Sequence, residues 1–146
     1  MIDARRRFLK RLVSLVAWPG LSTRVFSAPP EPAETPLQHA LLEALGGVGW
    51  KSSGEVLLEI PGMAENGAIV PLTVESRIPD TRQILIFGEK NPGPLLVRFR
   101  FEPGTDAWVS VRVKLNESGR VLALAEAGGR WYGAEQPVRV MLGGCG

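Results

Sequence analysis

Leu96-Val97-Arg98-Phe99-Arg100-Phe101 alternates apolar and charged side chains, and Val109-Ser110-Val111-Arg112-Val113-Lys114-Leu115 does so again after a Pro103-Gly104 turn. Successive side chains of an extended chain point to opposite faces, so each stretch predicts a strand with one buried and one wet face. Working outward, apolar-rich segments at 56–60, 69–75 and 83–87 precede this pair, and segments at 121–126, 131–134 and 138–142 follow it. Turn-forming clusters separate them, among them Pro61-Gly62, Pro79-Asp80, Asn91-Pro92-Gly93-Pro94, Glu117-Ser118-Gly119 and Gly128-Gly129. About seven or eight short strands at roughly ten-residue spacing, without strand–helix–strand alternation, predict an all-β, immunoglobulin-like antiparallel β-sandwich. One short amphipathic helix precedes them. Thr35-Pro36 supplies its N-cap and first-turn proline, Leu37, Leu41, Leu42 and Leu45 recur at helical spacing, and Gly46-Gly47 ends it.

The 146 residues give room for one domain plus an export segment. A hydrophobic fraction of 45% and a charged fraction of 22% are ordinary for a globular protein, while 17 Gly and 12 Pro favour strands and turns over a helical bundle. The net charge of +2 conceals an uneven placement. Six of the 17 basic residues (Arg5, Arg6, Arg7, Lys10, Arg11 and Arg24) stand in the first 24 positions, and residues 28–146 hold 11 basic against 14 acidic side chains, a net −3. Nucleic-acid binding thereby loses its global electrostatic support.

Arg5-Arg6-Arg7-Phe8-Leu9-Lys10 stands before a short, mildly apolar run, residues 12–21, interrupted by Ser14, Pro19 and Gly20. A basic segment, a short apolar segment and a small-residue exit read as a signal peptide, and the run is too short to span a bilayer. Arg-Arg-x-Phe-Leu-Lys resembles the twin-arginine export signal, carried by Arg5, Arg6, Phe8, Leu9 and Lys10, although Ala4 departs from its usual polar residue. Cleavage is expected after Ser27 or Ala28, with export of the folded chain to the periplasm and no membrane association afterwards. The expected organisation is a signal peptide at 1–27, a Pro-, Ala- and Glu-rich tether at 28–34, a sandwich domain at 35–142 and a swinging arm at 143–146.

One His and one Cys cannot build a His/Cys metal cluster, so neither metal nor cofactor is expected on this chain. His39 falls within the helix and reads as a solvent-facing or half-buried residue. Gly46-Gly47-Val48-Gly49-Trp50-Lys51-Ser52 resembles a phosphate loop only superficially, because it lacks a Gly-Lys pair and a preceding strand. Trp50 and Trp131 read as core or interface anchors. Trp108 shares the wet side of its strand with Ser110, Arg112 and Lys114, which suggests a partner over that face.

Cys145 stands in Gly143-Gly144-Cys145-Gly146 and is the one cysteine in the chain. A free cysteine is usually buried, yet here no chain beyond it could cover it, and in an oxidising compartment an exposed thiol invites oxidation. Flanking glycines strip away every neighbouring side chain. That suits a thiol that must enter a narrow channel on a slim stem, whose four residues from Leu142 reach about 13 Å at full extension. No helix N-terminus, Lys or His in the last fifteen residues activates the sulfur. An unactivated thiol has a pKa of about 8.5, which leaves a few per cent as thiolate at pH 7. Activation is therefore expected from a partner's pocket: the chain presents the thiol and other proteins do the chemistry.

Several longer stretches carry a resemblance. Ile60-Pro61-Gly62-Met63-Ala64-Glu65-Asn66-Gly67, Val70-Pro71-Leu72-Thr73-Val74, Phe87-Gly88-Glu89-Lys90-Asn91-Pro92-Gly93-Pro94, Ala123-Leu124-Ala125-Glu126 and the Gly-Gly-Cys-Gly ending are similar to the sulfur-carrier subunits of the bacterial thiosulfate-oxidising (Sox) system, the SoxY family. The resemblance implies an immunoglobulin-like sandwich paired as a heterodimer with a second sandwich subunit, SoxZ. It assigns Cys145 as the attachment point and Gly143, Gly144 and Gly146 as the arm. A c-type cytochrome complex would join thiosulfate oxidatively to the cysteine, a dimanganese hydrolase would release sulfate and leave a persulfide, and a molybdenum haem enzyme (a sulfur dehydrogenase) would oxidise the remaining sulfane sulfur. The family usually ends in Gly-Gly-Cys-Gly-Gly, and this sequence stops one glycine short, which would bring the carboxylate nearer the sulfur by roughly 3.5 Å.

Two other classes fit a lone thiol. A thiol redox protein would normally want a resolving cysteine, and none exists in this sequence. A structural sandwich module would use Cys145 for an intermolecular disulfide.

Overall fold

The computed structural model describes residues 33–141. Its elements run α1 (Pro36–Leu45), β1 (Trp50–Ser52), β2 (Val56–Glu59), β3 (Met63–Ala64), β4 (Val70–Ser76), β5 (Thr81–Gly88), β6 (Leu95–Arg100), β7 (Ala107–Val113), β8 (Gly119–Ala127) and β9 (Arg130–Val140). They form a six-stranded sheet, ordered β1-β9-β8-β5-β6 with β3 also on β9, facing a three-stranded sheet ordered β2-β4-β7. Except for β1 and β3, which run parallel to β9, neighbouring strands are antiparallel. The sheets do not close into a barrel. The all-β, immunoglobulin-like sandwich with one short helix is the observed architecture.

The period of two decides the core. β7 buries Ala107, Val109 and Val113 and leaves Trp108, Ser110 and Arg112 exposed. Val70, Leu72 and Val74 of β4 join them, and the opposing sheet contributes Ile84 and Ile86 of β5 and Val121, Ala123 and Ala125 of β8. At the β4–β5 corner, Ser76 and Thr81 are buried but mutually hydrogen-bonded at 2.7 Å, so neither hydroxyl is stranded.

β5 and β8 depart from simple alternation. Leu85, Phe87, Leu122 and Leu124 point away from the sandwich core yet are 2% exposed or less, because Leu37 and Leu45 of α1 cover them together with Trp131. Burial of a leucine side chain contributes roughly 1.5–3 kcal/mol, so the helix is held by packing more than by its own propensity. Its start is well defined. The Thr35 hydroxyl accepts the Gln38 N–H at 3.3 Å, the Gln38 side chain accepts the Thr35 N–H at 2.8 Å, and Gly46 closes the helix at φ 67°.

One sequence expectation is corrected, and two features appear that the sequence did not announce. Segments 131–134 and 138–142 are one strand, β9, through residue 140. The Arg139 and Met141 N–H groups point to the β3 side, so by alternation the N–H that Pro137 lacks falls on the same edge, in the gap between β1 and β3. The proline therefore removes no ladder bond. Short β1 and β3 were not legible, because neither carries an alternating run; each exists through pairing with β9. The outer face of the large sheet is dry in its middle, where α1 lies, and wet elsewhere.

Candidate functional site

β9 leads directly toward the predicted arm. Its last pair with β8 is Gly119↔Val138, and beyond it Arg139 and Val140 pair with Met63 and Ala64 of β3. On that side the Arg139 N–H donates to the Gly62 carbonyl at 2.9 Å, and the Met141 N–H donates to the Ala64 carbonyl at 2.9 Å. On the other side β8 has already turned away, and a side chain takes its place. Ser118 Oγ accepts the Val140 N–H at 2.8 Å and lies 3.3 Å from the Val140 carbonyl, to which it donates.

The turn bearing Ser118 is itself braced. Asn91 Nδ2 donates to the Lys114 carbonyl at 2.8 Å, and Asn91 Oδ1 accepts the Asn116 N–H at 3.2 Å. The Leu115 N–H donates to the Gly67 carbonyl at 2.7 Å. A Cβ on Gly67 would stand 2.5 Å from the Leu115 carbonyl oxygen and 2.8 Å from Val140 Cγ1, so only glycine permits this approach. Glu89 accepts the Arg120 N–H at 2.9 Å and its guanidinium at 3.1 Å and 3.3 Å, while Glu135 takes the same guanidinium at 3.2 Å. Hydrogen bonding from Arg120 holds the Glu89 carboxyl below its ordinary value, and Glu89 in turn raises the Arg120 pKa.

The two longest stretches singled out in the sequence, 60–67 and 87–94, thus meet at one end of the sandwich, around the last described residues of β9. Beside them runs an open groove lined by Gly62, Met63, Arg120, Pro137 and Arg139, among others. Met63 pairs with Arg139, and Met141 lies two residues on, so these side chains share one sheet face. Met63 is 52% exposed and Met141 51%, which makes an apolar rim at the end of β9.

Gly143, Gly144, Cys145 and Gly146 lie outside the described residues, as do Leu142, residues 28–32 of the expected tether, and Arg5, Arg6, Phe8, Leu9 and Lys10 of the leader. His39 is exposed on α1. Trp131 is buried, Trp50 is half-buried beside it, and Trp108 is 56% exposed on the outer face of the small sheet. Residues 46–49 connect α1 to β1, and Trp50, Lys51 and Ser52 are β1 itself. Among the described residues, no three His, Cys, Asp or Glu side chains gather to hold a metal ion, and no helix is long and apolar enough to cross a membrane. Sequence reasoning missed Ser118 and Asn91 as structural clamps. Both sit in turn clusters, where Ser and Asn are common for local reasons, and their partners lie 22 to 25 residues away.

No curated protein sequence matches this chain. Among solved structures, the sulfur carrier protein SoxY from Chlorobium limicola f thiosulfatophilum superposes with a TM-score of 0.67 at 31% identity, over 73% of this chain and 97% of that one. A superoxide reductase (neelaredoxin) from Ignicoccus hospitalis superposes with a TM-score of 0.50 at 19% identity, over 59% of this chain and 80% of that one, a likeness of fold alone. The sequence matches the family described as sulfur oxidation protein SoxY over residues 42–145, a span that ends on the cysteine. The chain belongs to the SoxY family.

Proposed function

We propose that this chain is a periplasmic carrier that holds sulfur intermediates covalently on Cys145 during thiosulfate oxidation, and that it is a substrate for partner enzymes and not itself an enzyme. The observation that carries this reading is that the family match runs through to Cys145, the sole cysteine, beyond a strand end gripped from both sides. In the first step the thiolate and thiosulfate form a sulfur–sulfur bond, giving a cysteine S-thiosulfonate, and two electrons pass to a c-type cytochrome. In the second, water attacks the terminal sulfonate at a dimanganese hydrolase, releasing sulfate and two protons and leaving the cysteine persulfide. A sulfur dehydrogenase acting on that persulfide would extend the cycle.

The Arg5-Arg6 leader supports export by the twin-arginine route, and the exposed Trp108 supports pairing with a SoxZ-like second sandwich. Intact-mass measurement of protein purified from its own periplasm tests the reading. Thiosulfonate or sulfane adducts on Cys145 are expected. A homodimer disulfide alone would favour a structural module, and mixed disulfides with protein partners would favour a thiol redox protein. Cys145→Ser is expected to abolish thiosulfate-dependent turnover while leaving fold and pairing intact; retained turnover would overturn the proposal.

A further inference from the structure

We propose that Ser118 is a positioning residue that fixes where the Cys145 arm begins, an inference that rests on the carrier reading. The Val140 N–H points to the side of β8, which begins only at Gly119 opposite Val138, so it has no ladder partner there. The Ser118 hydroxyl acts as a substitute strand partner, accepting from the Val140 N–H at 2.8 Å and donating to its carbonyl at 3.3 Å. The opposite side offers β3, which is two residues long. An edge pairing that short holds a strand end weakly. Without the hydroxyl the chain frays back toward Val138, where the β8 ladder resumes.

Release of residues 139–141 lengthens the arm by about 10 Å, a large fraction of its reach of about 13 Å. A longer tether spreads the thiol over a larger volume and lowers its effective concentration at a docked enzyme's entrance. The consequence falls on KM for the carrier, while kcat is unchanged because Ser118 does not touch the sulfur chemistry. The bracing of the Ser118 turn by Asn91 and Gly67 keeps the hydroxyl in register.

The full mature chain offers a direct test, because its sole cysteine takes a nitroxide label at Cys145 without further substitution. In Ser118→Ala, hydrogen exchange at the Val140 N–H is expected to rise by roughly tenfold. Label mobility should also rise, and KM of the hydrolase for thiosulfonate-loaded carrier should rise several-fold at constant kcat. Ser118→Thr keeps the hydroxyl and should restore all three. One glycine inserted before Gly143 should raise KM without changing Val140 exchange. Unchanged exchange and mobility in Ser118→Ala overturns the proposal, as does faster exchange with unchanged KM, or a glycine insertion without kinetic effect. If Ser118→Ala also accelerates exchange at Leu124 in the core, the variant has lost its fold, and the insertion and Ser118→Thr decide the question. Turnover retained in Cys145→Ser sinks the carrier reading instead, and the exchange and mobility measurements still report on Ser118.

Discussion

Glu89 occupies a position where one carboxylate serves both backbone and side chain. It accepts the N–H of Arg120 and two contacts from its guanidinium, at the point where β8 begins. The carboxyl is held below its ordinary 4.5, so its contribution is present above that value and is lost as pH falls through the depressed folded value. Glu89→Gln keeps an acceptor for the Arg120 N–H but removes the charge. It should lower stability at pH 7 by about 0.5–1 kcal/mol, since Arg120 is partly exposed and solvent screens the pair. Urea denaturation at pH 7 and pH 3 checks this: the difference between variant and parent should shrink at pH 3. An equal loss at both would mean that geometry and not charge is responsible. The carboxylate was visible in the sequence within Phe87-Gly88-Glu89-Lys90, but its task was not, because Arg120 lies 31 residues away.

The helix is the element whose presence the sequence announced and whose place it did not. Thr35, Pro36 and Gly46 are local signals, and each acts through its nearest neighbours. The docking of α1 over Leu85, Phe87, Leu122 and Leu124 joins residues far apart in the chain. Thr35→Ala removes the hydroxyl half of the capping box and should destabilise the domain by about 1 kcal/mol. A fall in the thermal midpoint of about 4 °C is expected, with Thr35→Ser close to neutral. A cap substitution without effect would mean that packing alone holds the helix start. The continuous apolar runs of β5 and β8 were legible as strands, but a second buried face cannot be told from the run itself; it depends on what lies above the sheet.

At the scale of the whole molecule, the faces of the sandwich have unequal fates. The large sheet is covered in its middle by α1, whereas the small sheet presents Trp108 beside Ser110 and Arg112 to solvent. An exposed tryptophan contributes little to the stability of an isolated chain, so Trp108→Ala should change unfolding free energy by less than about 0.5 kcal/mol. At an interface the same side chain is often worth about 2 kcal/mol or more, so if Trp108 faces the second sandwich subunit proposed above, Trp108→Ala should weaken that pairing by roughly thirtyfold. Calorimetric titration of the two subunits tests this. Unchanged affinity would place the partner on another face.

What the sequence by itself determined is everything that depends on neighbours in the chain: the period of two in 96–101 and 109–115, the caps of α1, the turn clusters, and the isolation of Cys145 among glycines. What only the tertiary structure decided is everything that depends on closing a long loop. It merged 131–134 with 138–140 by placing Pro137 against an unpaired edge, created β1 and β3 from stretches with no pattern, and buried the second face of β5 and β8 under a helix. It also brought Ser118, Asn91 and Gly67 to the end of β9. Alternation and capping are short-range steric and hydrogen-bonding effects written into adjacent residues. A clamp of this kind is a set of distant partners, and no local pattern names them.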